Sequence, residues 1–383
     1  RDVRHGHGRA APTEGGLDRV AHLDIGGAEI VTQTRVLETN SRPDGTWDVV
    51  TENGTIHAEH VVNAGGLWAR EVAAMASVYL PLLPMAHQYL VTEAVPDIVN
   101  RSEEIPHVID PGGESYLRQE RDGFCIGFYE QPCEPWSVNG TPWEFGAELL
   151  NDKLEKIEDS VAFAYRRFPI LEKAGIRRVI HGPFTFAPDG NPLVGPAPGL
   201  RNMWLAEGFS FGITAAGGAG KYLADVMVEG EAEIDMASLD PRRFGRWMTT
   251  EYAAKKNEEA YEHVYILHHP DEERPAARPL KTAPSYDRMK AAGAQFGCMN
   301  GWERPNYFAP GSDDAFDHDS RSFRRGAWWE HAKAEAEAIR EGVGLIDATA
   351  FTKHMLRGPG AAAFLDWFTC NRLPKVGRIN LTY

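Results

Sequence analysis

The stretch His60-Val61-Val62-Asn63-Ala64-Gly65-Gly66-Leu67-Trp68-Ala69 sets the reading of the rest of the chain. It runs from a short apolar strand into a glycine pair and then into a helix expected over Ala69 to Ala76. A strand that ends in small residues ahead of a helix N-terminus brings backbone N–H groups close to a ligand phosphate or ribose. A plain glycine turn between strand and helix has the same pattern, so this stretch fixes an α/β architecture and leaves the ligand open. Upstream, Ile30 to Leu37 and Thr46 to Thr51 read as strands around the turn Arg42-Pro43-Asp44-Gly45. Asn53-Gly54 then marks a hairpin into Thr55 to Glu59.

Downstream, Leu80 to Ala94 is a β-branched apolar run, and Ser115 to Leu117 with Gly123 to Phe128 form a strand pair around Asp122-Gly123. Glu144 to Arg167 reads as one or two helices, Arg177 to Phe186 as a returning strand, and Asn202 to Ala206 as another. Gly208 to Gly220 is glycine-rich, and Lys221 to Glu229 is a helix. Charged, proline-bearing residues from Glu251 to Pro284 suggest a connector. Beyond it lie a helix over Arg325 to Arg340, strands over Val343 to Asp347 and Phe351 to Arg357, and a short helix over Gly360 to Trp367.

A chain of 383 residues implies two or three domains. Apolar residues at 43% exclude a disordered chain, and no apolar run is long enough to span a membrane. The net charge of −15 argues against non-specific binding of nucleic acid or anionic membranes. Cys125, Cys133, Cys298 and Cys370 show no zinc spacing, so no metal site is expected. They fit reduced thiols of the cytoplasm, or of the mitochondrial matrix in a eukaryote.

Four groups of residues carry candidate chemistry. Gly208-Phe209-Ser210-Phe211-Gly212-Ile213 lies between a strand and a helix, where glycines let the backbone approach a large planar ligand and the helix N-terminus favours an electronegative group. Packing of strand against helix would also call for those glycines. Gly217-Gly218-Ala219-Gly220-Lys221 is no P-loop, because Ala215 and Tyr222 stand where that motif needs Gly and Ser/Thr. His87 and Tyr89 alternate along one strand and share a face, as do Tyr116 and Arg118. They suit an amine or carboxylate substrate, with Arg118 as a carboxylate clamp; a satisfied core histidine and a surface ion pair are the plainer alternatives. Gly301-Trp302-Glu303-Arg304-Pro305-Asn306-Tyr307-Phe308 could line a pocket or pack between domains. Spacing alone stops at a multi-domain α/β protein with a possible nucleotide-like cofactor.

Motif content goes further. The blocks Val62 to Val72, His87-Gln88-Tyr89-Leu90-Val91-Thr92, Tyr116 to Gly123, Gly182-Pro183 with Pro188-Asp189, Gly208 to Ile213, Gly217 to Leu223, Gly301 to Pro305 and Ser322-Phe323-Arg324-Arg325 occur in this order. Together they resemble the dimethylglycine/sarcosine dehydrogenase family over roughly Thr32 to Tyr383. Gln88 and Arg118-Gln119-Glu120-Arg121 make the chain more similar to the dimethylglycine branch.

The resemblance implies a D-amino-acid-oxidase-type FAD domain, combining α/β and α+β layers, followed by the start of a T-protein-like folate domain. It places the FAD-dependent oxidoreductase domain at 1–250, a connector at 251–287 and the beginning of the aminomethyltransferase-like domain at 288–383. It further implies oxidation of a small N-methyl amine, transfer of the one-carbon unit to tetrahydrofolate, and an electron-transfer flavoprotein as acceptor. By position, Val36, Gly65 and Trp68 would lie near FAD, and Gly208, Phe209, Ser210, Phe211, Gly212 and Ile213 along its isoalloxazine. His87, Tyr89 and Tyr116 would be catalytic, with Arg118 and Thr214 binding substrate. Cys125 stands where related oxidases carry a lysine that assists reaction with oxygen, which favours a dehydrogenase. The departures are the lack of a GxGxxG unit, with its acidic ribose ligand and flavin-linking histidine, and a loose match over Arg1 to Gly27. The ends, Arg1 and Leu381-Thr382-Tyr383, read as cuts through a longer polypeptide. A flavin-less binding module that kept the fold, and an aminomethyl transferase with a degenerate oxidase domain, are the alternatives.

Overall fold

The computed structural model describes residues 28–270, 272–311, 322–351 and 353–379. The loosely matching opening segment and the strand-like closing residues lie outside them. The chain divides into two compact units, the first ending at Leu267 and the second beginning at His268.

The first unit opens with the antiparallel sheet β1 (Val36–Ser41), β2 (Trp47–Thr51) and β3 (Gly54–Ala58). The strand expected from Ile30 begins only at Val36, because its partner β2 ends at Thr51 and leaves nothing to pair with earlier residues. Next come β4 (Val61–Asn63) and α1 (Ala69–Met75). β4 pairs in parallel with β12 (Met203–Glu207), which pairs antiparallel with β11 (Leu193–Pro196). Trp47, Ala69, Ala73, Leu82, Leu193, Met203 and Leu205 form the core behind this sheet. Each large apolar side chain so buried contributes about 1.5–3 kcal/mol.

The larger sheet has the order β10 (Ile176–Phe186), β5 (Leu83–Thr92), β8 (Gly123–Phe128), β7 (Ser115–Glu120) and β6 (Val108–Asp110), with β9 (Glu134–Pro135) pairing on β5. Its back face presents Leu90, Leu117, Phe124, Ile126 and Phe128 to Ile157, Ala164 and Leu171 from α2 (Glu158–Arg167) and its flanks. The helix expected from Glu144 starts only at Glu158. Residues before it run along the sheet instead: Leu150 N donates to the His181 carbonyl, and Gln88 exchanges two hydrogen bonds with the Lys153 backbone.

The helix expected at Lys221 begins nine residues earlier, as α3 (Gly212–Glu229), and closes on Gly230 at φ +86°. Its glycines are helical rather than a loop. α4 (Thr250–Glu262) follows, with Thr249 capping its N-terminus through the Tyr252 N–H. It lies at the start of the segment expected to be a connector, yet Ala260 and Tyr261 are core residues of the first unit.

In the second unit, α5 (Tyr286–Ala291) packs near the hairpin β13 (Ala294–Met299) and β14 (Trp302–Phe308). Arg278 and Glu303, both fully buried, pair at 2.7 Å beneath it. α6 (Trp328–Glu341) joins through Glu335, which accepts from Phe308 N, and α7 (Ala361–Phe368) follows. The strands expected over Val343 to Asp347 and Phe351 to Arg357 do not form among the described residues, where these segments are exposed and lack a strand partner.

Candidate active site

The front face of the larger sheet is set by register. Tyr89 lies opposite Gly127, and Gly127 opposite Tyr116, so all three point to one side. His87 shares that face two residues along, opposite Gly182, and Phe184 is the next same-face residue on β10. Arg118 and Cys125 are cross-strand partners on the same side. Gly127 is essential to this layout. A Cβ there would sit 2.2 Å from the Tyr116 ring and hydroxyl, so only glycine lets that ring lie across β8 toward His87.

The sequence pairs His87 with Tyr89 and Tyr116 with Arg118; the structure brings both pairs to one face and adds four aromatic rings. Tyr129 and Phe184 stand 4.8 and 5.1 Å from the His87 ring, centroid to centroid. Tyr261, from α4, packs edge-on at 5.9 Å, and Tyr265 covers Tyr116 at 5.8 Å and Tyr129 at 4.9 Å. His87 Nδ1 lies 2.9 Å from the Tyr261 hydroxyl and Nε2 lies 3.4 Å from that of Tyr116. Tyr261 in turn donates to Glu130 at 2.7 Å. Tyr129 lies two residues beyond Gly127, on the same side by alternation, and Glu130 lies past the end of β8; Tyr261 and Tyr265 were hidden by the connector reading of their segment.

Burial, with His181 adding a smaller effect, holds His87 down to about 3, so its ring is neutral at physiological pH. Desolvation raises the Tyr116, Tyr129 and Tyr261 phenols well above their usual range. Cys125 is a buried thiol pushed up to about 11 and is no nucleophile at neutral pH. The lining is therefore uncharged, aromatic and hydrogen-bonding. Arg118 is exposed at its margin and paired with Glu120 at 2.6 Å.

The other predicted residues lie elsewhere. β4 and β12 run parallel, so the turns Gly65-Gly66 and Gly208 leave the same end of their sheet, the end where open α/β sheets take ligands. Glu207, passed over in the sequence, ties these turns together: its carboxyl oxygens accept from Gly65 N at 2.6 Å and Gly66 N at 3.0 Å. Burial pushes this carboxyl up to about 8, offset only in part by the two N–H groups. Gly208 adopts φ +73°, and a Cβ there would meet Leu82 at 2.8 Å. Trp68 is anchored through Nε1 to the Pro142 carbonyl. Val36 sits at the start of β1, on a different sheet, and Thr214 is exposed on α3.

The Gly66 and Gly208 turns and the start of α3 leave room for a flat ligand. Apart from chain neighbours and the helix's own backbone, no atom of the described residues lies within 4 Å of where a Cβ on Gly66, Gly217, Gly218 or Gly220 would project. Phe211 is half-exposed and Ile213 fully exposed at the start of α3, so an apolar and small-residue surface follows directly on the Gly208 turn. Planar ring stacking and close backbone approach both need such a surface.

Comparison with known proteins identifies the family. The family model for FAD dependent oxidoreductases matches residues 21–226. The chain belongs to the FAD dependent oxidoreductase family. The central-domain model of FAD dependent oxidoreductases matches residues 229–283, and the GCVT N-terminal domain matches 285–383. Dimethylglycine dehydrogenase of Mus musculus is 40% identical over 363 residues, 93% of this chain and 41% of that protein. Sarcosine dehydrogenase of the same organism is 35% identical over 292 residues, 74% of this chain and 31% of that protein. The 4-methylaminobutanoate oxidase of Paenarthrobacter nicotinovorans is 32% identical over 367 residues, 94% of this chain and 42% of that protein. This FAD dependent oxidoreductase chain therefore spans less than half the length of each of these three relatives.

Proposed function

We propose that the chain forms part of an FAD-dependent dehydrogenase that oxidises the N-methyl group of a small N-methylamino acid, dimethylglycine first and sarcosine next. The observation that carries this reading is the aromatic box around a neutral His87 (Tyr116, Tyr129, Phe184, Tyr261 and Tyr265). The three relatives described above are named for compounds that share an N-methylated amine and a carboxylate, and the box suits the amine end. Ring faces attract a methylammonium while water is excluded, and the absence of a positive charge on His87 removes repulsion. The same desolvation favours loss of the ammonium proton, which frees the nitrogen lone pair. His87, Tyr116 and Tyr89 orient the nitrogen. Arg118, at the margin, exchanges Glu120 for the substrate carboxylate. Bound FAD supplies the hydride acceptor.

For the cofactor, Gly208 to Ile213 would face the isoalloxazine, Gly65 and Trp68 would lie beside the adenosine end, and Val36 near it. The FAD side extends through α4 to Leu267, and 288–383 form the beginning of a folate domain that hands the one-carbon unit to tetrahydrofolate. The GCVT match supports that last step. An electron-transfer flavoprotein takes the electrons, in the mitochondrial matrix if the source is eukaryotic.

The test is an absorbance spectrum of the purified chain before and after FAD addition and desalting. Retained flavin bands that bleach on adding dimethylglycine are expected. A chain that never takes up FAD is no flavoenzyme as it stands, which moves the binding module that kept the fold to the front; the same titration on the extended protein then decides the dehydrogenase reading.

A further inference from the structure

The mechanism sketched above leaves two buried polar groups unused, Glu130 and Tyr261. Glu130 is 5% exposed and Tyr261 fully buried. Their hydrogen bonds form a directed chain with His87. A phenol has one proton. Tyr261 gives it to Glu130 Oε2 at 2.7 Å, so its oxygen can only accept from the next neighbour. That neighbour is His87 Nδ1, 2.9 Å away, which must then carry the ring proton. A neutral imidazole has one N–H, so Nε2 is left as a bare lone pair, directed toward the Tyr116 hydroxyl at 3.4 Å.

We propose that Glu130 and Tyr261 are positioning residues that fix the tautomer of His87, leaving Nε2 as the hydrogen-bond acceptor that faces the amine site. The arrangement joins three elements that are distant in sequence: β5, the end of β8, and α4. Rotation of the ring is blocked at the same time, because Tyr129 and Phe184 pack against it. The acceptor at Nε2 keeps the Tyr116 hydroxyl proton directed at His87. The Tyr116 oxygen lone pairs are then free for an N–H or N-methylammonium group. With the opposite tautomer, Nε2–H would occupy a Tyr116 lone pair and release that hydroxyl proton toward the substrate, which suits an ammonium poorly.

This consequence for the amine rests on the dehydrogenase reading; the tautomer itself does not. It is therefore measured on the 383-residue chain without flavin or amine, by two-bond 1H–15N correlation of histidine-labelled protein. His87 is assigned as the signal missing from His87→Gln. The expected wild-type pattern is a pyrrole-type Nδ1 and a pyridine-type Nε2. Tyr261→Phe keeps the ring packing and removes only the hydroxyl; it should abolish that preference. Glu130→Leu removes the acceptor, so Tyr261 should donate to Nδ1 and the pattern should invert. A purely structural role would leave the tautomer in Tyr261→Phe unchanged. A wild-type ring protonated at Nε2, or a Tyr261→Phe ring with the wild-type pattern, overturns the proposal. Loss of amine oxidation in the full-length protein, with the tautomer as expected, would instead count against the dehydrogenase reading.

Discussion

Two residues show how much can turn on a single position. Gly127 has no side chain because the Tyr116 ring occupies its place. Gly127→Ala should move that ring, at a cost of about 1–3 kcal/mol in overpacking, and should weaken amine binding while far-UV circular dichroism stays native. Urea unfolding and amine titration of the same preparation check both halves. Glu207 carries a pH signature. Its carboxyl is held near 8 in the folded chain and near its ordinary value of 4.5 in the unfolded one. Between those values the folded state keeps a proton that the unfolded state has released, so stability falls as pH rises from about 4.5 to about 8. By pH 7 the loss is on the order of 3 kcal/mol, and it keeps growing until about pH 8. Below that window both states are protonated and the contribution vanishes. Glu207→Gln should flatten this slope, as seen in urea midpoints taken across the pH range.

At the level of elements, the sequence showed the strands of the larger sheet and the shared faces of His87 with Tyr89 and of Tyr116 with Arg118, because alternation is a local property. It did not show that β5 and β7 are separated by β8, nor that Gly127 lets Tyr116 cross the gap. Strand order is fixed by non-local packing and leaves no periodic trace. It also missed Tyr261, since the charges and prolines of 251–284 outweighed a helix whose buried side is polar in part: Asn257 is fully buried and donates to the Pro81 carbonyl. The long helix α3 was placed too late because glycines argue against helix interiors. Its Gly217, Gly218 and Gly220 all have open space where a Cβ would point. Gly218→Ala should therefore stabilise the flavin-free chain by about 0.5–1 kcal/mol through the lower entropy of its unfolded state. The same methyl would project from the surface assigned to the flavin, so FAD uptake should fall. Denaturant unfolding without cofactor and spectroscopic titration with it would report opposite signs; a gain in both would remove α3 from the cofactor site.

Across the whole molecule, charge separates two kinds of stabilisation. The net charge of −15 opposes compaction, because acidic groups are brought closer together on folding. Among the described residues most of them are exposed, so this repulsion is screened by salt. The screening length falls from about 30 Å at 0.01 M to about 8 Å at 0.15 M ionic strength, and the thermal midpoint should rise over that interval. The Arg278–Glu303 pair behaves differently. Both side chains are fully buried, and Arg278 also donates to the Phe296 carbonyl, so salt has little access to it. Removing Glu303 takes away the shorter pair and leaves the buried guanidinium with the longer one to Glu273 at 3.5 Å, at a cost of up to about 3–5 kcal/mol. Glu303→Gln should therefore lower the midpoint of the second unit at every salt concentration while leaving the upward slope with salt intact. Calorimetry of the two proteins across the salt series tests this. A slope that disappears with Glu303 would mean that the salt response comes from this buried pair and not from the acidic surface.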